Sequence, residues 1–141
     1  MNWGLIWKIF AGLCKVIRWI TRRKPNLGKF LIVEDDPSDA LMLERALRRL
    51  GYDCEITDSG EVASGLARQG FYRYIFIDLR LPGMSGEALI RIFSDELPNA
   101  KLVVVCGEPA DLRDIPEGMP VVVIRKNVSI HGLTNLFKML K

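Results

Sequence analysis

A chain of 141 residues that is 49% hydrophobic and 26% charged has room for one domain with a proper core plus a short appendage, and its composition excludes a disordered polymer. The net charge of +3 conceals two unlike parts: residues 1–29 hold seven Lys/Arg and no acid, while the rest holds 13 Lys/Arg against all 17 Asp/Glu. The basic balance therefore belongs to an arm, and the acidic remainder gives no reason to expect a nucleic-acid partner. Cys14, Cys54 and Cys106 lie far apart without paired spacing, which argues against a disulfide framework or a zinc site and fits a reducing, cytoplasmic setting. With His131 as the lone histidine, a histidine-rich metal centre is excluded.

In chain order the first predicted element is an amphipathic basic helix over residues 1–24. At about 100° per residue, Lys8, Lys15, Arg18 and Arg22 fall on one stripe, and Trp3, Trp7, Phe10, Val16, Trp19 and other large apolar residues fill the rest. So broad an apolar surface needs a covering. Lys8 and Lys15 interrupt any spanning segment, and no small-residue cleavage site stands out for a signal peptide. Three coverings stay open: an anionic membrane surface with the helix in plane, a partner helix or second copy (positions 3, 6, 10, 13, 17 and 20 keep heptad spacing), or the chain's own domain. Residues 25–28, with Pro25 and Gly28, read as a linker.

Residues 29–141 read as apolar runs alternating with helical patterns. Phe30–Val33 is a fully apolar run ending in Glu34-Asp35-Asp36; a helix then starts with Asp36 as N-cap and Pro37 in its first turn, and runs to Leu50. Next come a strand near Cys54–Thr57, a helix over Ser59–Gln69, a strand Tyr74–Ile77 ending at Asp78, and a helix over Ser85–Leu97. The strands Leu102–Val105 and Val121–Ile124 follow, then a helix from Ser129 to Leu140. Between the last two strands, Pro109, Pro116, Gly118 and Pro120 leave room for only a short or irregular helix. Five apolar strands that hardly alternate with polar residues predict an α/β fold, a doubly wound five-stranded parallel sheet of the flavodoxin-like kind. With nothing left for another unit after the last helix, a stand-alone domain is the expectation.

Ligands of such sheets sit beyond the carboxyl ends of the strands. Those ends carry Glu34, Asp35 and Asp36 after the first strand, Asp78 after the third, Cys106 and Gly107 after the fourth, and Lys126 after the fifth. Acids converging in one crevice call for a cation, and hard oxygen ligands without a dedicated cage suit magnesium beside a phosphate. A lysine at the rim neutralises phosphoryl oxygens.

These residues resemble the receiver domain of two-component response regulators. The resemblance is carried by Leu31-Ile32-Val33-Glu34-Asp35-Asp36-Pro37, by Ile77-Asp78-Leu79-Arg80-Leu81-Pro82-Gly83-Met84-Ser85-Gly86, by Val103-Val104-Val105-Cys106-Gly107 and by Ile124-Arg125-Lys126. It implies that Asp78 is the phosphoacceptor, taking a phosphoryl group from a sensor histidine kinase or phosphotransfer protein. It further implies that Asp35, Asp78 and the backbone carbonyl of Arg80 hold Mg2+, that Glu34 acts mainly through a water on the ion, and that Lys126 meets the phosphoryl group. Gly107 matches the small residue that leaves room for phosphoryl oxygens.

Three positions depart from the family pattern. Cys106 stands where Thr or Ser is usual, Val123 where Tyr or Phe is common, and Asn127 where a Pro follows the lysine. A thiol is a weaker donor than a hydroxyl, so the usual readout should be weakened while the chemistry stays whole. The leading expectation is a phosphorylatable signalling switch that binds an unknown downstream protein and is tethered by its arm, peripheral at the inner face of the membrane. The alternative is a receiver-like scaffold whose binding does not depend on phosphate. An aspartyl-phosphate phosphatase needs a second acid where this chain has Arg80, and a flavin phosphate would be repelled by Glu34-Asp35-Asp36, so no metabolic enzyme is expected.

Overall fold

The computed structural model describes residues 28–140; the predicted basic helix over 1–24 and the start of its linker lie outside them. The elements are β1 (Lys29–Val33), α1 (Pro37–Arg49), β2 (Asp53–Thr57), α2 (Gly60–Gln69), β3 (Tyr72–Asp78), α3 (Gly86–Glu96), β4 (Lys101–Cys106), β5 (Val121–Arg125) and α4 (Ile130–Met139). The strands form one parallel sheet in the order β2-β1-β3-β4-β5.

Successive residues of a strand face opposite sides of a sheet, and here both sides are covered. Leu31, Val33, Ile75 and Ile77 pack on one side against Ala63, Leu89 and Phe93 of α2 and α3. Phe30, Ile32, Phe76 and Val103 pack on the other against Leu47, Leu133 and Phe137 of α1 and α4. That is why these strands read as unbroken apolar runs. The helices begin at side-chain caps: Asp36, Ser59, Ser85 and Ser129 each accept from a backbone N–H of the first turn.

Two details depart from the sequence reading. β3 begins at Tyr72, two residues early, because the Tyr72 hydroxyl bonds Glu55 of β2 at 2.7 Å and holds that end of the strand in the sheet. The stunted helix between β4 and β5 is a 3-10 segment, Pro109–Asp114, as its prolines foretold. It covers little of β5, where Val123 stays 40% exposed.

The chain passes from β1 outward to β2 and then returns to β3 on the other side. The crevice at the carboxyl ends of β1 and β3 is therefore the point where strand order reverses.

Candidate functional site

β1 delivers Glu34 into this crevice. Its N–H donates to the Thr57 carbonyl at 3.0 Å, which extends the ladder by one residue, and its side chain is buried while Asp35 is exposed. Asp36 turns away to cap α1, accepting from Ser38 N at 2.8 Å and Asp39 N at 3.0 Å. β3 ends on Asp78, which is 4% exposed. One of its oxygens, Oδ1, accepts from the Arg80 N–H at 3.0 Å; the other, Oδ2, accepts from Lys126 Nζ at 2.9 Å. Lys126 is fixed at its own backbone, where its N–H donates to the Cys106 carbonyl at 2.9 Å. From there its ammonium reaches three carboxylates: Asp78, Asp39 at 2.9 Å and Glu34 at 3.3 Å.

Oxygens of Glu34, Asp35 and Asp78 lie within 4.8 Å of one another. Burial, followed by the neighbouring Asp78, pushes the Glu34 carboxyl up to about 7, although the Asp36 N–H and Lys126 pull the other way. Burial alone would lower Lys126, but its bonds to Asp39 and Asp78 outweigh that and raise it above its ordinary value. The ammonium thus stays charged, while the crowded acids make one of their number hold a proton near neutrality. A hard divalent cation relieves that crowding, and an all-oxygen donor set of this kind suits magnesium.

The loop after Asp78 is shaped by two glycines. Gly83 has φ +74°, a left-handed conformation, and a Cβ there would also press on Glu61, whose carboxylate accepts from Met84 N at 3.0 Å. A Cβ on Gly86 would collide with the Asp78 carbonyl and Leu79 Cα, so α3 starts against the end of β3 only because this residue is glycine.

Glu34, Asp35, Asp78 and Lys126 meet as the sequence predicts. Cys106 and Gly107 lie beside them at the end of β4, with a Cβ on Gly107 coming no nearer than 3.8 Å to Lys126. The Cys106 thiol donates to the Glu108 carbonyl at 2.7 Å, and burial, then Asp111, push its pKa up. Two further site residues escaped sequence reasoning. Asp39 needs the Asp36 cap to aim the first turn of α1 inward. Asp111, buried, accepts from Arg80 Nε at 2.7 Å and from Glu108 N at 3.0 Å; the guanidinium beside it holds its carboxyl below the usual range. The only sequence signal for Asp111 is the reciprocal cap spaced Glu108-Pro109-Ala110-Asp111. Asn127 follows Lys126 with φ +64°, a conformation asparagine tolerates, and no peptide bond among the described residues is cis.

Comparison with known proteins agrees with this geometry. The family model for the response regulator receiver domain matches residues 30–121. The cell cycle transcriptional regulator CtrA of Caulobacter vibrioides is 32% identical over 79 residues, covering 56% of this chain and 34% of that protein. The DNA-binding response regulator MtrA of Mycolicibacterium smegmatis is 38% identical over 64 residues, 45% of this chain and 28% of that protein. The chain therefore spans about a third of the length of these curated relatives. Among solved structures, a CheY-like receiver domain from Methylobacillus flagellatus superposes with a TM-score of 0.69 at 28% identity, covering 82% of this chain and 99% of that one. The receiver domain of sensor histidine kinase PA1611 from Pseudomonas aeruginosa, with a magnesium ion coordinated in its active site cleft, gives 0.73 at 22% identity, covering 79% and 95%.

Proposed function

The chain belongs to the response regulator receiver domains of two-component signalling, and from that premise we propose that it is a phosphoacceptor switch that signals by binding another protein. The observation that carries this reading is the Lys126 ammonium, brought from β5 onto the carboxylates of Asp78 and Glu34 at the ends of β3 and β1. An oxygen of Asp78 attacks the phosphorus of a phosphohistidine on a sensor histidine kinase or phosphotransfer protein. The P–O bond forms as the P–N bond breaks, and the histidine ring, already protonated on its other nitrogen, departs as neutral imidazole. Lys126, already beside Asp78, neutralises the charge of the incoming phosphoryl oxygens, and Gly107 leaves them space. Magnesium held by Asp35, Asp78 and the Arg80 backbone carbonyl, with Glu34 acting mainly through a water, would supply the remaining charge neutralisation.

Acetyl phosphate with magnesium tests the assignment. One hydroxylamine-labile phosphoryl group should appear on the full chain and be absent from Asp78→Asn. Undiminished labelling of that variant would overturn it.

A second reading, a scaffold that binds partners without phosphate, is favoured by the Cys106 thiol being engaged by Glu108 and by the open Val123. Beryllofluoride with magnesium separates the two, since it should change partner binding by a switch and leave that of a scaffold unaltered. For residues 1–24 we propose an in-plane helix on an anionic bilayer. The support is compositional: basic residues run along one stripe, and tryptophans sit among the apolar remainder. The full chain should then sediment with anionic vesicles.

A further inference from the structure

Asp111 is 3% exposed, a buried acid that the phosphoryl transfer proposed above does not use. It lies in the 3-10 segment that leads from β4 to β5. Its Oδ2 accepts from the Glu108 N–H at 3.0 Å and lies 3.9 Å from the Cys106 thiol. Its Oδ1 accepts from Arg80 Nε at 2.7 Å and also from a terminal nitrogen of the same guanidinium.

Arg80 belongs to two places at once. Its main chain lies in the crevice loop, where its N–H donates to Asp78 Oδ1 at 3.0 Å. Its side chain leaves the crevice and ends on the 3-10 segment. One residue therefore stands between the carboxylate that would take a phosphoryl group and the segment that precedes β5. Cys106, by contrast, directs its thiol to the Glu108 carbonyl at 2.7 Å.

The two ends of Arg80 differ in what they tolerate. An acyl phosphate no longer carries the charge of the carboxylate, so the Arg80 N–H would exchange a charge-assisted acceptor for a weaker, neutral one. The other end is harder to release. The guanidinium side chain is 69% exposed and can turn to water, but Asp111 cannot. Without Arg80 a buried carboxylate loses its cation and keeps the Glu108 N–H. Two nitrogens of the fork are engaged, which takes slack out of the side chain. A shift of the Arg80 main chain is therefore carried to the 3-10 segment.

We propose that Arg80 is a positioning residue that couples the state of Asp78 to the 3-10 segment through Asp111, in place of a hydroxyl at residue 106. The inference rests on the phosphoacceptor reading and deepens it by naming the route from the site to the surface beside β5.

The test follows backbone amide shifts of the full chain as magnesium and beryllofluoride, which adds a phosphoryl-like group to a carboxylate, are titrated in. Saturation is read at the Gly107 and Lys126 amides, and the response at Leu112, Arg113 and Asp114. In wild type those three amides should move. At the same saturation their shifts should fall about threefold in Arg80→Met and in Asp111→Asn, and the double variant should lose no more than either single one. Neither change threatens the fold: the Arg80 side chain projects into solvent, and an asparagine at 111 still accepts from the Glu108 N–H. If Gly107 and Lys126 saturate in the variants and Leu112–Asp114 move as in wild type, the coupling is overturned while the phosphoacceptor reading survives. Losses that add in the double variant would show two separate effects and overturn it as well, as would a wild type in which Gly107 and Lys126 respond and Leu112–Asp114 do not. If beryllofluoride moves nothing in wild type, Gly107 and Lys126 included, the phosphoacceptor reading falls and this inference falls with it.

Discussion

The carboxylate crevice and the connector between β4 and β5 sit side by side but answer to different constraints. In the crevice, three strand ends and one helix N-terminus bring charged groups to fixed places, and each backbone is tied into a ladder or a cap. The connector has a 3-10 segment, an exposed Val123 on the edge strand, and a thiol held by the Glu108 carbonyl. Phosphoryl chemistry needs only the first region, because it depends on position and charge. In the proposed phosphoacceptor reading, passing the event to a partner draws on the second, where Cys106 and Val123 stand in place of the family's usual residues and the thiol already donates to Glu108. The contrast teaches that a site with its reactive groups in place does not guarantee a coupled switch.

The largest expected effect comes from removing the ammonium that ties the crevice together. Lys126→Ala leaves Glu34, Asp39 and Asp78 facing one another, and removing one partner of a fully buried ion pair costs about 3–5 kcal/mol. Lys126 retains 25% side-chain exposure, so about 2 kcal/mol is expected here, read by urea unfolding in metal-free buffer at neutral pH. Magnesium should restore part of the loss by taking up the role of cation. A change within about 0.5 kcal/mol, as for an ordinary surface residue, would show that the cluster carries no such load.

An effect of the same order follows from Glu34. Its carboxyl is raised from the ordinary 4.5 to about 7, so between those values the folded chain holds a proton that the unfolded chain releases. Stability of the metal-free protein should therefore be greatest below pH 4.5 on account of this group, and should fall by a few kcal/mol as pH rises through 7. Glu34→Gln, which stays neutral, should flatten that slope, whereas saturating magnesium should oppose it by favouring the ionised acid. An unfolding free energy that rises over this window by the same amount in Glu34→Gln as in wild type would contradict the assignment.

How much of this was legible in the sequence depended on how far apart the causes lay. The parallel sheet was visible because strands buried on both faces must be apolar throughout, as Phe30–Val33 and Leu102–Val105 are. Glu34, Asp78 and Lys126 were visible because each sits where an apolar run ends. Asp39 was hidden because its role needs both the α1 cap and a lysine 87 residues away. Asp111 was hidden for a different reason: it lies two residues after a proline in a segment with no periodic pattern, where an acid reads as a loop residue, and its main side-chain partner, Arg80, is 31 residues away. The early start of β3 likewise depends on Glu55 of another strand.

The smallest effect in free energy bears most directly on the connector. Cys106 is buried and its thiol donates to the Glu108 carbonyl, with an Asp111 oxygen 3.9 Å away. A thiol is a weak donor with a large atom, so it gains little by leaving that carbonyl for a phosphoryl oxygen. A threonine hydroxyl is a stronger donor of similar volume and should gain more from the charged acceptor than from the neutral carbonyl. Cys106→Thr should therefore change stability by about 1 kcal/mol or less and leave magnesium affinity in place. It should enlarge the backbone chemical-shift changes that beryllofluoride produces in β4, the 3-10 segment and β5. Because Arg80 and Asp111 pin that segment to the loop after Asp78, the added response should extend to the Glu108 and Asp111 amides. If wild type already shows a full rearrangement of β4 and β5 and Cys106→Thr adds nothing, the connector is coupled to Asp78 by a route other than residue 106.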